Sequence, residues 1–186
     1  MRILQINKFH WVKGGSERYY FDLQRGLAAR GHEVAVFASA HPRNEESPWG
    51  RFFAPHADYH GAGPLAALPL ERDVVYNRRA AGQLDLLLAE FRPDVAHLHN
   101  IHHQLSPSIL APLERRGIPV VQTLHDYKWV CPAYLFHARG QVCTRCGPGA
   151  RFLPVVTRRC LHDSLAKSAV AAWELGASWR RGDVAR

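Results

Sequence analysis

No apolar run in the 186 residues approaches the ~20 that a membrane-spanning helix needs. The opening stretch MRILQINKFH has neither the long apolar segment nor the small-residue cleavage site of a signal peptide, so a cytoplasmic protein is expected. Internal repeats, low-complexity tracts and interdomain linkers are also missing, and the length suits one domain. The G-x-G-x-x-G fingerprint is lacking, which argues against a dehydrogenase-like dinucleotide site. Acidic residues are scarce near the end. Residues 139–186 hold three Asp/Glu against nine Lys/Arg, a balance of +6 out of the chain's +8, whereas residues 1–138 hold thirteen against fifteen. Such a local excess suits an acidic partner, whether phosphate, an anionic membrane surface or nucleic acid, and equally a solvated basic face.

Apolar material is ample for a core, at 47% hydrophobic residues against 22% charged. Arg2–Asn7 reads as a buried strand. Ser16 is placed to cap a helix over 17–30, with Glu17 at its positive end and Tyr20, Leu23 and Leu27 on one face. Gly31 stops that helix and Glu33–Ser39 forms a second strand, completing a β-α-β unit. Residues 40–70 form an irregular stretch long enough to shape a binding surface. A helix over 72–91 carries the stripe Leu84, Leu87, Leu88, Phe91 and ends at Pro93. The third strand is Asp94–Asn100. Ser106–Pro107 opens the next helix, Gly117 closes it, and Ile118–Asp126 is the fourth strand. A Cys-containing segment, 127–162, precedes a terminal helix over 163–179.

Alternating strands and helices predict an α/β fold with a doubly wound, mostly parallel, Rossmann-like sheet. Ligands of such sheets bind beyond the carboxyl ends of the strands. Polar clusters of this chain fall there: Gly14–Gly15 after the first strand, His99, Asn100, His102 and His103 after the third, and His125 and Asp126 at the end of the fourth. Gly14 and Gly15 open a helix whose free N–H groups suit a phosphate, and glycine lets a ligand approach; the alternative is a plain strand-to-helix turn. His125 is a candidate hydrogen-bonding residue or is tied to a neighbouring carbonyl, and Asp126 orients it or caps the next segment. Spacing alone does not make His99, Asn100, His102 and His103 a metal site. His99 and Asn100 are read as cleft lining, and His102 and His103 as ordinary loop residues.

Four cysteines remain: Cys131, Cys143, Cys146 and Cys160. Cys143-x-x-Cys146 has zinc-knuckle spacing, and the other two are candidate third and fourth ligands of a structural zinc. Reduced, unligated thiols and disulfides are the rival readings, and a cytoplasmic setting disfavours the disulfides.

The segments GGSERYYFDLQRGLAARGHEVAVFA, PDVAHLHN and TLHDYKWVCP together resemble family-four glycosyltransferases, retaining enzymes of the GT-B fold. The run from HDYKWVCPAYLF through RCLHDSLAKSAVAA resembles a cysteine-bearing subgroup of that family. The resemblance covers Arg2 to about Glu174. It implies that 1–186 is the N-terminal, acceptor-side half of a GT-B enzyme, incomplete at its C-terminal end, with the donor-binding domain absent. It implies a nucleotide-diphosphate sugar as donor substrate, a sugar or lipid-linked acceptor, and surface-polysaccharide or glycolipid synthesis. The Gly14–Gly15 turn would then lie beside the donor diphosphate and the acceptor, and His125 would contact the transferred sugar or acceptor. A separate chain carrying the donor domain and peripheral contact at the inner membrane face are expected partners. The competing expectation is a zinc-supported module that binds nucleic acid or another anionic ligand without catalysis, although no aromatic platform interleaves its arginines.

Overall fold

The structure is a computed structural model that describes residues 1–56, 73–147 and 152–183. Its contacts divide into two units, Met1–His125 and Asp126–Arg186.

The first unit is built on strands β1 (Arg2–Ile6), β2 (Glu33–Phe37), β3 (Val95–Leu98) and β4 (Val120–Gln122), all parallel and ordered β2-β1-β3-β4. Helix α1 (Gly15–Ala29) links β1 to β2, and α2 (Arg78–Phe91) precedes β3. A 3-10 turn, Pro107–Ile109, leads into α3 (Leu110–Arg115) before β4. From β1 the chain moves one way to β2, then back across to β3 and β4. Right-handed crossovers therefore put α1 on one face of the sheet and α2 and α3 on the other, where those two helices pack together. The reversal lies between β1 and β3, the place where open α/β sheets leave a crevice. This is the expected Rossmann-like α/β architecture.

Strands β1 to β4 and helices α2 and α3 are shorter than their sequence patterns suggested. β2 stops at Phe37, because Ser39 instead bridges to Ala54. β3 ends at Leu98 and β4 at Gln122, short of the expected Asn100 and Asp126. The apolar stripe of α2 is as expected, with Leu84, Leu87, Leu88 and Phe91 fully buried. Its start differs: residues 73–75 are helical but are separated from α2 by Tyr76 and Asn77, and residue 72 lies outside the described residues. Asn77 imposes the break. Its Oδ1 accepts the Ala80 N–H at 3.0 Å, while its own N–H and Nδ2 bond Ser106 Oγ and the Gln104 carbonyl, both at 2.8 Å. Helix α1 begins two residues earlier than predicted. Gly14 occupies its N-cap and no side chain caps it, so Ser16 is inside the helix. Gly31 and Gly117 follow helices with φ of +81° and +63°, as their stop role requires.

The second unit starts with turns and a two-stranded hairpin, β5 (His137–Ala138) and β6 (Gln141–Val142). Its tip residues, Arg139 and Gly140, both take positive φ, as tight hairpin turns need. Helix α4 (Leu153–Thr157) packs on α5 (Leu165–Arg181). Ser164 caps α5 through the Lys167 N–H at 3.3 Å, and Gly182 ends it in the left-handed conformation. Cys146, Phe152, Val155 and Leu175 form a small apolar core. Beside the aromatic ring of Tyr134 lies a buried ion pair, Lys128 Nζ to Glu174 Oε2 at 2.7 Å. Among the described residues no helix is long and apolar enough to cross a membrane.

Candidate functional site

β1 and β3 lie at the centre of the sheet, and Gln5 pairs in register with His97. Side chains two apart on a strand share a face, so His97 and His99 project together. Gln5 and His99 are buried, and Gln5 Oε1 accepts from His99 Nε2 at 2.8 Å. His99 Nδ1 lies 3.0 Å from Nε2 of His125, which follows β4, and the two rings stack with centroids 5.3 Å apart. His97 Nε2 reaches Thr123 Oγ1 at 2.8 Å. From α1, Tyr19 sets its ring edge-on to both His99 and His125, at 5.9 and 5.5 Å, and Tyr20 meets His99 at 5.4 Å. The first turns of α1 thus sit over a layer of imidazoles at the carboxyl end of the sheet.

The inner part of this layer, Gln5 and His99, is buried, whereas His97, Thr123 and His125 are half-buried and Tyr19 is exposed. Burial, reinforced by neighbouring His97 and His125, pushes His99 down to about 3. His97 is lowered by burial and then by His125. His10 bonds the Tyr20 hydroxyl through Nδ1 at 2.9 Å, and burial holds it down to about 4. The Tyr20 phenol is raised, chiefly by burial and then by the charge of Glu45. At neutral pH the interior imidazoles are uncharged and act as directional hydrogen-bonding groups.

Asn100 sits where β3 gives way to its loop. Its N–H donates to Asn7 Oδ1 at 3.1 Å and its carbonyl accepts the Lys8 N–H at 2.7 Å. Gly14 has extended backbone, with φ of −163°. A β-carbon on Gly14 would meet only Glu17 Oε2, at 3.7 Å, and one on Gly15 would meet nothing within 4 Å. Neither packing nor backbone angle requires glycine at these positions. Asp126 belongs to the second unit, where its Oδ1 accepts the Lys128 N–H at 2.8 Å in a local turn.

The described part of the irregular stretch after β2 lines an open depression of about 630 Å³ whose walls include His41, Asn44, Glu45, Glu46, Ser47 and Phe53. It is fastened to the imidazole layer through His10, whose N–H bonds Asn44 Oδ1 at 3.3 Å and whose carbonyl accepts the Glu45 N–H at 2.8 Å. Trp11 stacks on His41, with centroids 5.5 Å apart. The remainder of the stretch expected to shape a surface, 57–70, lies outside the described residues.

The zinc expectation is not supported. Among the described residues, no group of three or more His, Cys, Asp or Glu side chains is placed to hold a metal ion. Cys131, Cys143, Cys146 and Cys160 are free of disulfides. Cys146 is drawn into the apolar cluster with Phe152, Val155 and Leu175, and burial, with the nearby thiols Cys131, Cys160 and Cys143 adding to it, pushes it up to about 11.

Sequence reasoning set His99, Asn100 and His125 at one end of the sheet, where His99 Nδ1 lies 3.0 Å from His125 Nε2. It passed over Gln5, His97, His10, Tyr19 and Thr123. A signal was available for two of them: a glutamine inside an apolar strand, and the period of two in His97-Leu-His99.

The family model described as Glycosyltransferase Family 4 matches residues 13–147, and the chain belongs to that family. No curated protein matches the chain. The matched region contains Gly14, Gly15, His99, Asn100 and His125.

Proposed function

We propose that this member of glycosyltransferase family 4 provides the acceptor side of a reaction that moves a sugar from a nucleotide-diphosphate sugar to an acceptor hydroxyl, with retention of anomeric configuration. The observation that carries this reading is the convergence of His99, His125 and the Tyr19 ring at the carboxyl end of the parallel sheet, next to the switch between β1 and β3. His125, half-buried rather than sealed, is the residue of this layer that meets the acceptor or the transferred sugar. Asn100 lines the same edge. Gly14 and Gly15, unnecessary to the fold's packing, leave the α1 N-terminus clear for the donor diphosphate. Asp126 supports the chain that leaves His125 by fixing the turn to Lys128.

The acceptor is a sugar or lipid-linked sugar of polysaccharide or glycolipid synthesis, and a donor-binding domain completes the site. The basic residues of the second unit, including Arg158 and Arg159, favour peripheral contact with anionic lipid. The test is transfer of labelled sugar from a panel of nucleotide-diphosphate sugars to lipid-linked acceptors, with the chain reconstituted alongside a family donor domain. His125→Ala should lower turnover at least ~100-fold, the scale set by losing one group that acts in the transition state. Full activity in that variant, or no binding of any sugar acceptor by the wild type, refutes the reading.

A further inference from the structure

Gln5 sits on the central strand β1, is fully buried, and touches both His97 of β3 and His99 just past its end. Its Oε1 faces His99 Nε2 at 2.8 Å and its Nε2 faces His97 Nδ1 at 3.4 Å. The chain of contacts continues outward at both ends, from His97 Nε2 to Thr123 Oγ1 at 2.8 Å and from His99 Nδ1 to His125 Nε2 at 3.0 Å. Side chains from two strands and from the loop after a third are thereby joined in one row.

A neutral imidazole has one N–H and one lone pair, so each ring in such a row passes a direction to the next. The Gln5 oxygen requires the proton of His99 on Nε2. That leaves a lone pair on His99 Nδ1, which can only accept. The facing nitrogen, Nε2 of His125, must then donate. Neutral His125 consequently holds its lone pair on Nδ1. Protonating His99 would break the direction, and its burial between two other imidazoles opposes that: His99 titrates only near 3.

We infer that Gln5 and His99 are positioning residues for His125, holding it as the Nε2–H tautomer so that Nδ1 is the nitrogen that accepts a hydrogen bond. The chemical consequence is a choice of ligand group. An accepting Nδ1 takes a hydroxyl or another neutral donor, and it does not donate to a phosphate or carboxylate oxygen while His125 is neutral. The meaning of this for catalysis rests on the transferase reading above; the tautomer itself does not.

The experiment is long-range ¹H–¹⁵N correlation on the imidazoles of the ¹⁵N-labelled full chain at neutral pH. The expected spectrum has His125 with a protonated-type Nε2 and an unprotonated-type Nδ1, the same pattern for His99, and a scalar coupling across the bond from His125 Nε2–H to His99 Nδ1. Gln5→Met removes the oxygen that orients His99, so the separation between the two His125 nitrogen resonances should shrink or invert. A wild-type His125 carrying its proton on Nδ1 overturns the inference. So does a Gln5→Met protein that folds and keeps the wild-type His125 pattern. If the variant does not fold, the coupling in the wild type decides, because its absence also overturns the inference. Should the tautomer be confirmed while no nucleotide-sugar transfer is found, the relay stands and the transferase reading fails alone.

Discussion

His10 and His99 lie almost wholly out of solvent and are held neutral, down to about 4 and about 3 respectively. In the unfolded chain both regain a pKa near 6.5. Their folded values are depressed, so the unfolded state binds more protons between about pH 6.5 and each folded value, and stability falls as pH falls through that window. Each group removes roughly 1.4 kcal/mol per pH unit there. Urea midpoints measured from pH 7.5 to 5 should be flat above about 7 and drop steeply below 6.5, and His10→Phe should flatten part of that slope. At Cys146 the shift runs upward, to about 11. Iodoacetamide at pH 8 should therefore alkylate Cys146 at least ~10-fold more slowly in the folded protein than in denaturant, read by mass spectrometry of the Cys146 peptide. Of these residues the sequence made His99 legible, because a strand end in an α/β fold is where polar side chains collect. It did not reveal His10, whose role depends on Tyr20 one helix away and Phe53 beyond the second strand.

At the scale of elements, the breaks matter more than the runs. The hydrophobic stripe made α2 legible, but its start was not, because Asn77 answers to Ser106 and Gln104, nearly thirty positions on. Asn77→Ala should remove the Ala80 cap and leave the Ser106 and Gln104 loop one partner short. An expected cost of about 2 kcal/mol, at the upper end for a single cap, can be read from denaturant unfolding. Leu87→Ala on the same helix, a fully buried site, should cost about 2–5 kcal/mol. The strands came out short for a related reason. Periodicity extends as far as side chains alternate, whereas a strand extends only as far as its neighbour offers hydrogen bonds. At β4 that is three residues.

For the whole molecule, the α/β class and the family were readable from the order of elements and from three motif segments, and residues 13–147 carry the family match. The metal expectation finds no support among the described residues. Cys-x-x-Cys spacing describes distance along the chain, while burial of Cys146 in an apolar cluster is a property of the folded second unit. That unit depends on Lys128 and Glu174, each 1% exposed. Removing one partner strands the other charge, so Lys128→Met should destabilise by about 3–5 kcal/mol, and adding Glu174→Leu should recover much of the loss. Thermal denaturation of the single and double variants checks both.

The same two charges are separated by 46 positions of chain and must both shed water before the surrounding side chains can close. Attraction between them is long-ranged only while they are still hydrated and apart, which is when dissolved salt screens it. Once closed in, the pair is largely shielded from ions. Salt should therefore slow the refolding of this unit more than it changes its final stability, and stopped-flow refolding at 0.05 and 0.5 M ionic strength, about a threefold change in screening length, would separate the two effects.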